Sequence, residues 1–367
     1  MSTSLEDAAT KRHTFLEELE SRALWFALAA ALIQAATTFI FNPGANGLPL
    51  AGSPDSMAIR SLLAAIVISL VVGSYSYVWG MRSRNEVLLE EFQQDYRWSV
   101  VPMALAAVVM SAMTIAWLFA ILNRAFPGAT FNRVSMTLFL SIVSSTIAYI
   151  VAVYMGRLHA ADMLYLGVIF LFGTLLFAGA RNEDPYWWEY SFSHLGMTPS
   201  NSKSIFNIGL IFTGALIVIW SQFFMRDVAV LERRGLISHR TFQILNLSLF
   251  LTGIMLGTVG LIRFGIAPIF NLIHDVAATG SGVILGLLML SMWWLNPHYG
   301  RVFYYVSVLI VVGMIGTLLA NVMGYLTLTG LEFGCFVLAS IWLVLFFQNT
   351  QLLIARVAPE SLAMRLR

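Results

Sequence analysis

Apolar runs separated by short polar segments recur along the whole chain, at Ala23–Phe41, Ile59–Gly80, Val100–Leu122, Val134–Met155, Met163–Ala180, Ile205–Met225, Ile244–Ile262, Val276–Leu295, Phe303–Leu326 and Phe333–Ile354. Each is long enough to cross a hydrocarbon core of about 30 Å as a helix, and almost nothing charged lies inside them. The pattern predicts an all-α, polytopic helical membrane protein with about ten transmembrane helices. The runs at Met163–Ala180 and Ile244–Ile262 are only just long enough and should cross with little tilt.

Composition narrows the picture. Hydrophobic residues make up 59% of the chain and charged ones 11%, against about 45–50% and about 25% in soluble domains. Little chain is left for a soluble domain. The net charge of +2 gives no footprint for nucleic acid. Cys335 is the one cysteine, which excludes an internal disulfide and a cysteine-built zinc site. The polar run Thr3–Arg22 is unlike a cleavable signal, so Ala23–Phe41 is expected to stay as the first helix. The organisation read from these runs is a charged helix over residues 1–22, a four-helix region over 23–160, a six-helix module over 161–354 and a tail over 355–367.

Basic residues set the expected orientation. With the N-terminus inside, fifteen of the 21 Lys and Arg residues fall on the cytoplasmic side, among them Lys11, Arg12, Arg82, Arg84, Arg233, Arg234 and Arg356. Arg60, Arg124, Arg133, Arg181, Lys203 and Arg263 fall outside. An even number of spans puts both termini in the cytoplasm. Three cytoplasmic segments carry more than a linker needs. Leu5–Arg22 reads as a helix, with Thr14 and Glu17 spaced as a capping box. Asn85–Trp98 reads as an amphipathic surface helix, and Arg226–Arg240 as a basic turn. They offer docking places for a protein partner, and equally fit plain topology-setting loops. On the outer side Asn42–Asp55, rich in Gly and Pro, should be irregular. Arg181–Ser204 carries the interface aromatics Tyr186, Trp187, Trp188 and Tyr190. Gly253/Gly257 and Gly282/Gly286 are GxxxG pairs expected to pack within the bundle.

Polar groups gather at the outer ends of the later spans. Arg263 ends the seventh, His274 and Asp275 start the eighth, and Glu332 starts the tenth. The fifth-to-sixth loop adds Glu189, Ser191, Ser193 and His194, with Asn207 one turn inside the sixth span. His194, Asn207, Arg263, His274, Asp275 and Glu332 are therefore the candidate ligand-binding set, expected to line one outward pocket. Arg263 is expected to pair with Glu332 or Asp275, since an unpaired charge near lipid is expensive. Asp275 at a helix start also suits the helix dipole. Two histidines and a carboxylate can hold zinc, but no compact metal motif is present, and no metal or cofactor is expected. Hydrolase, nucleotide and haem signatures are likewise missing.

The run Tyr190-Ser191-Phe192-Ser193-His194-Leu195-Gly196, followed by Asn201, by Ile205-Phe206-Asn207-Ile208-Gly209-Leu210 and by Gly214, resembles a family of uncharacterised bacterial polytopic membrane proteins, domain of unknown function nine-nine-eight. Gly253, Gly257, Gly260, Pro268 and His274 fit the order of that family, as does Gly330-Leu331-Glu332. Phe333 stands where its pattern has a basic residue. The resemblance spans Met163 to Ile354 and implies a six-helix module in a bacterial inner (cytoplasmic) membrane, with no established activity. It points to His194, Asn207, His274 and Glu332. Three readings follow: a protein that binds a lipid or amphiphile at its outer-leaflet side, an enzyme acting on a lipid-linked substrate with His274 or His194 as base beside a carboxylate, and a structural subunit docking through its cytoplasmic helices.

Reporter fusions test the orientation. A fusion at Arg367 should report a cytoplasmic location and one within Arg181–Ser204 an external one. The reverse result at either position would mean a miscounted span.

Overall fold

The computed structural model describes residues 2–41, 47–85, 97, 100–158, 160–197, 202–296 and 298–357. Ten helices among them are long and apolar enough to cross a membrane, and the chain has an all-α polytopic fold. In hydrocarbon every backbone N–H and C=O must find its partner internally, and a helix does this within one segment. The chain divides into two compact units, with the boundary after Leu158.

The first unit contains α1 (Ser2–Phe41), α2 (Met57–Ile68), α3 (Ser74–Asn85), α4 (Val100–Ala125) and α5 (Arg133–Arg157). Helix α1 runs unbroken for 40 residues. Thr14 is thus a helix-interior residue and not the cap expected of it, because backbone donors there have no orphan N–H to satisfy. The surface helix expected over Asn85–Trp98 falls almost wholly outside the described residues. Helices α2 and α3 join through a wider turn at Ser69–Gly73, where Ser69 donates to Ser111 of α4 at 2.8 Å. Arg133 lies over the Phe39 ring at 3.6 Å and donates to the Phe39 carbonyl, tying α5 to the end of α1.

The Asn42–Asp55 loop is less irregular than its composition predicts. Residues 42–46 lie outside the described residues. Beyond them Leu48–Pro49 (β1) pairs antiparallel with Thr130–Phe131 (β2). Gly47, with φ of 84°, makes the left-handed step that turns the chain into β1. Leu50 is then buried among Met57, Phe119 and Met136, and that burial holds the segment down.

The second unit contains α6 (Ala160–Ala180), a short α7 (Phe192–Met197), α8 (Ser202–Arg233), α9 (His239–Leu261), α10 (Pro268–Leu295), α11 (Arg301–Val322) and α12 (Leu328–Val357). Several helices outrun their apolar stretches. Helix α8 continues to Arg233, so the expected basic turn shrinks to the few residues before Ser238. Ser238 caps α9 by accepting from the Thr241 N–H at 3.1 Å. Helix α10 begins at Pro268, a residue suited to a first helical turn because its missing N–H has no partner there anyway. His274 and Asp275 consequently sit well inside α10 and not in its first turn, which removes the helix-dipole argument for Asp275. Glu332 likewise lies one turn inside α12.

Lipid tails are as apolar as leucine, so helices associate through close packing and not through a hydrophobic drive. The crossing of α8 and α9 shows this directly. A Cβ added at Gly214 would lie 2.5 Å from the Gly253 carbonyl oxygen, and one at Gly260 would lie 2.5 Å from that of Asn207. Only glycine permits backbones this near. The pair Gly253/Gly257 therefore packs inside the bundle. Gly282/Gly286 does not: a Cβ at either meets nothing within 4 Å among the described residues. Deeper in the unit, stacked Trp220–Phe224 and Trp342–Phe346 meet edge to face through Phe224 and Phe346, 5.2 Å apart. The Trp342 indole donates to Ser307 of α11 at 2.9 Å, which satisfies that buried donor.

Gly214→Val should force α8 from α9 and lower stability by about 1–3 kcal/mol, the usual cost of overpacking. Gly282→Ala should leave thermal unfolding in detergent unchanged. Equal responses from the two variants would disprove the assignment of the packing seam.

Candidate functional site

Helix α6 ends against an indole. The ring of Trp187 lies so near Gly179 that a Cβ there would come within 2.5 Å of it. This contact anchors the single turn Trp187–Glu189, which leads into α7. Six residues cannot make a self-sufficient helix, since most of their N–H and C=O groups have no partner within it. Here backbone partners come from two other helices, and a third meets a side chain.

At the start of α7, the Phe192 N–H donates to Glu332 Oε2 of α12 at 2.7 Å. At its end, the Asn207 amide of α8 donates to the Gly196 carbonyl at 3.4 Å, and the Ser202 hydroxyl donates to the Leu195 carbonyl at 3.5 Å. Between these, Ser193 Oγ lies 2.7 Å from His274 Nε2 of α10. Leu195 is fully buried beside Leu171, Phe206, Val259 and Ala277 and fixes the underside of the helix.

His274 has both ring nitrogens engaged. Its Nδ1 is 2.7 Å from the Ile262 carbonyl oxygen, which can only accept, so Nδ1 carries the proton. In the neutral ring Nε2 is then an acceptor, and the Ser193 hydroxyl is its donor. The imidazole is 3% exposed, with Phe264 against it at 5.6 Å, whereas Ser193 is half-buried.

The six residues singled out from the sequence divide into two groups. Asn207, His274 and Glu332 converge on α7 within one network. The other three do not join it. His194 turns away from His274, pairing with Asp184 at 3.5 Å and stacking on Tyr190 at 4.8 Å. Arg263 is exposed and makes no ion pair among the described residues, so the expected pairing with Glu332 or Asp275 is not formed. Glu332 meets a backbone N–H in its place, while Asp275, the residue after buried His274, is exposed. Successive helical residues differ by about 100° in direction, so when His274 faces the bundle Asp275 faces out. An arginine at a helix end reaches water along its own stem and needs no buried partner.

The cavity also differs from the one expected. A groove of about 590 Å³ lies between the ends of α6 and α12, lined by Phe172, Leu175, Leu176, Gly179, Ala180, Trp187, Trp188, Phe192, Thr327, Thr329, Gly330 and Phe333. None of the six predicted residues lines it. Of the six, Glu332 supports the wall directly, by fixing the backbone of Phe192. Thr329 is 8% exposed, and its hydroxyl has no hydrogen-bond partner among the described residues. In the sequence Trp187, Trp188 and Phe333 look like ordinary interface and lipid-facing residues, and Thr329 carries no motif. Only the spatial return of α12 to α6 makes them a site. Among the described residues no group of three or more His, Cys, Asp and Glu side chains is placed to share a metal ion.

The chain matches no family model, no curated protein and no solved structure.

Glu332→Ala should strand the Phe192 N–H and lower stability by about 1–3 kcal/mol, whereas Glu332→Gln, which keeps an acceptor, should recover most of that. Arg263→Leu should stay within about 0.5 kcal/mol of the parent, as an unpaired surface group does. Thermal unfolding decides. A large loss in Arg263→Leu would reinstate an ion pair.

Proposed function

We propose that the protein binds a lipid or another amphiphile in the groove between α6, α7 and α12, as a transporter component or accessory factor in handling envelope lipids of a bacterial inner membrane. The observation that carries this reading is the groove itself. Its volume of about 590 Å³ falls in the range of small-molecule sites, about 300–1,000 Å³. Apolar and aromatic side chains line nearly all of it, which suits an acyl chain. Thr329 also lines the groove, and its buried hydroxyl has no hydrogen-bond partner among the described residues, a polar group that calls for an explanation. Trp187 and Trp188 are among the lining residues, and amphipathic rings suit the boundary between headgroup and hydrocarbon. Of the segments that carry the resemblance to the bacterial family, Tyr190–Gly196 supplies Phe192 to the groove wall, and Ile205–Leu210 supplies Asn207, which holds the Gly196 carbonyl.

Bromine on an acyl chain quenches indole fluorescence on contact. In nanodiscs, lipids brominated along the chain should quench Trp187 and Trp188, measured as the difference between the parent and a Trp187→Phe/Trp188→Phe variant. Leu176→Trp, which fills the groove, should weaken retention of co-purified lipid about tenfold, the effect of losing about 1.4 kcal/mol of binding. Equal lipid content in the two proteins by native mass spectrometry would rule out the groove as the binding place.

A further inference from the structure

The contact between α7 and α10 has the form of an activated nucleophile. A serine hydroxyl is a poor nucleophile unless a base takes its proton, and the mark of such a pair is hydrogen-bond reach between them, with the base oriented by a third group. Ser193 Oγ and His274 Nε2 are 2.7 Å apart. The Ile262 carbonyl, 2.7 Å from Nδ1, holds the ring in the tautomer whose free lone pair faces the hydroxyl. The base is buried at 3% exposure, while Ser193 is half-buried. The backbone carrying Ser193 is pinned on both sides, by Glu332 at Phe192 and by Asn207 at Gly196, so the hydroxyl is held in place as productive geometry demands. Nothing in amphiphile binding requires this pairing, since neither residue lines the groove.

We infer that Ser193 and His274 are nucleophile and general base for acyl transfer from an ester-linked amphiphile. The choice of substrate rests on the groove reading; the chemistry does not. Phe192 lines the groove and directly precedes Ser193, so groove and hydroxyl belong to neighbouring residues of α7. Ser193 Oγ attacks the ester carbonyl carbon while its proton passes to His274 Nε2. The Nδ1–H donated to Ile262 keeps the resulting imidazolium in register. The carbon–oxygen bond to the leaving alcohol then breaks, and that oxygen takes the proton from Nε2. An acyl ester on Ser193 and a free alcohol result. Water, giving up a proton to Nε2, attacks the acyl ester, and Ser193 leaves with that proton, releasing a carboxylic acid and restoring both residues.

The test uses the full chain in detergent micelles and an alkyl fluorophosphonate, which phosphonylates activated serines with loss of fluoride. The expected result is an adduct on the 192–197 segment, assigned to Ser193 by peptide mass spectrometry. Ser193→Ala should abolish it. His274→Gln should slow labelling about 100-fold or more, as loss of a general base does. Ser281→Ala, outside the pair, should label at the parent rate. Because the parent protein alone is decisive, poor folding of a variant does not spare the inference: a monodisperse parent with no adduct on Ser193, or with adducts only elsewhere, overturns it. Esters separate this result from the groove. If p-nitrophenyl acetate is hydrolysed and Leu176→Trp leaves p-nitrophenyl dodecanoate unaffected, the dyad stands and the groove fails. If lipid is retained but no Ser193 adduct forms, the groove stands and the dyad fails.

Discussion

An unpaired backbone N–H or C=O inside a membrane protein costs several kcal/mol when no water can reach it. Transmembrane helices avoid the cost internally, but α7 cannot. It is a six-residue turn of helix set between two spans, with Phe192, Leu195 and Gly196 buried. Its exposed ends of hydrogen-bonding potential have to be met by side chains from elsewhere, and they are met by Glu332, Asn207 and Ser202. Each of these belongs to a long helix whose depth is fixed by its apolar length. The short helix is thereby placed as firmly as its neighbours.

That placement carries the groove. Phe192 forms part of its wall, and its backbone is held by the carboxylate one residue before Phe333, another lining residue. The opposite wall is set by the Trp187 indole against Gly179. The same clamp sets the distance between Ser193 and His274, because His274 rides on α10 and its ring is aimed by a carbonyl at the end of α9. Groove and polar pair are two outcomes of one arrangement.

Further from the groove, two more buried polar groups meet side-chain partners from other elements. Across the unit, at the other ends of the helices, Gln351 donates to buried Asp227 at 2.7 Å. Tyr299 bonds Thr350 at 2.6 Å, and burial pushes its phenol well above the ordinary tyrosine range, so the ring stays neutral. Close glycine contacts between α8 and α9 hold the frame on which both ends depend.

The number and nature of the spans were legible in the sequence, because a hydrocarbon layer of fixed thickness demands long apolar runs and admits little else. Alternation of helix direction then put Asn207, His274 and Glu332 at one end of the bundle, and that too needed no coordinates. Helix starts were less legible: Ser202 opens its helix in polar sequence, and Pro268 opens one several residues before the apolar run read from Val276, because backbone pairing continues past the hydropathy signal. Which polar group meets which was not legible at all. Glu332 and Arg263 looked like partners by charge, yet the carboxylate was claimed by the nearer Phe192 N–H, and the guanidinium had water within reach. Ser193 stood beside the more conspicuous His194, but a helix turns about 100° per residue, and it was Ser193 that faced His274. The apolar groove had no sequence signal, since its aromatic and leucine side chains are what any lipid-facing surface contains. Only the return of α12 alongside α6 separated the residues that face the groove from those that face the membrane.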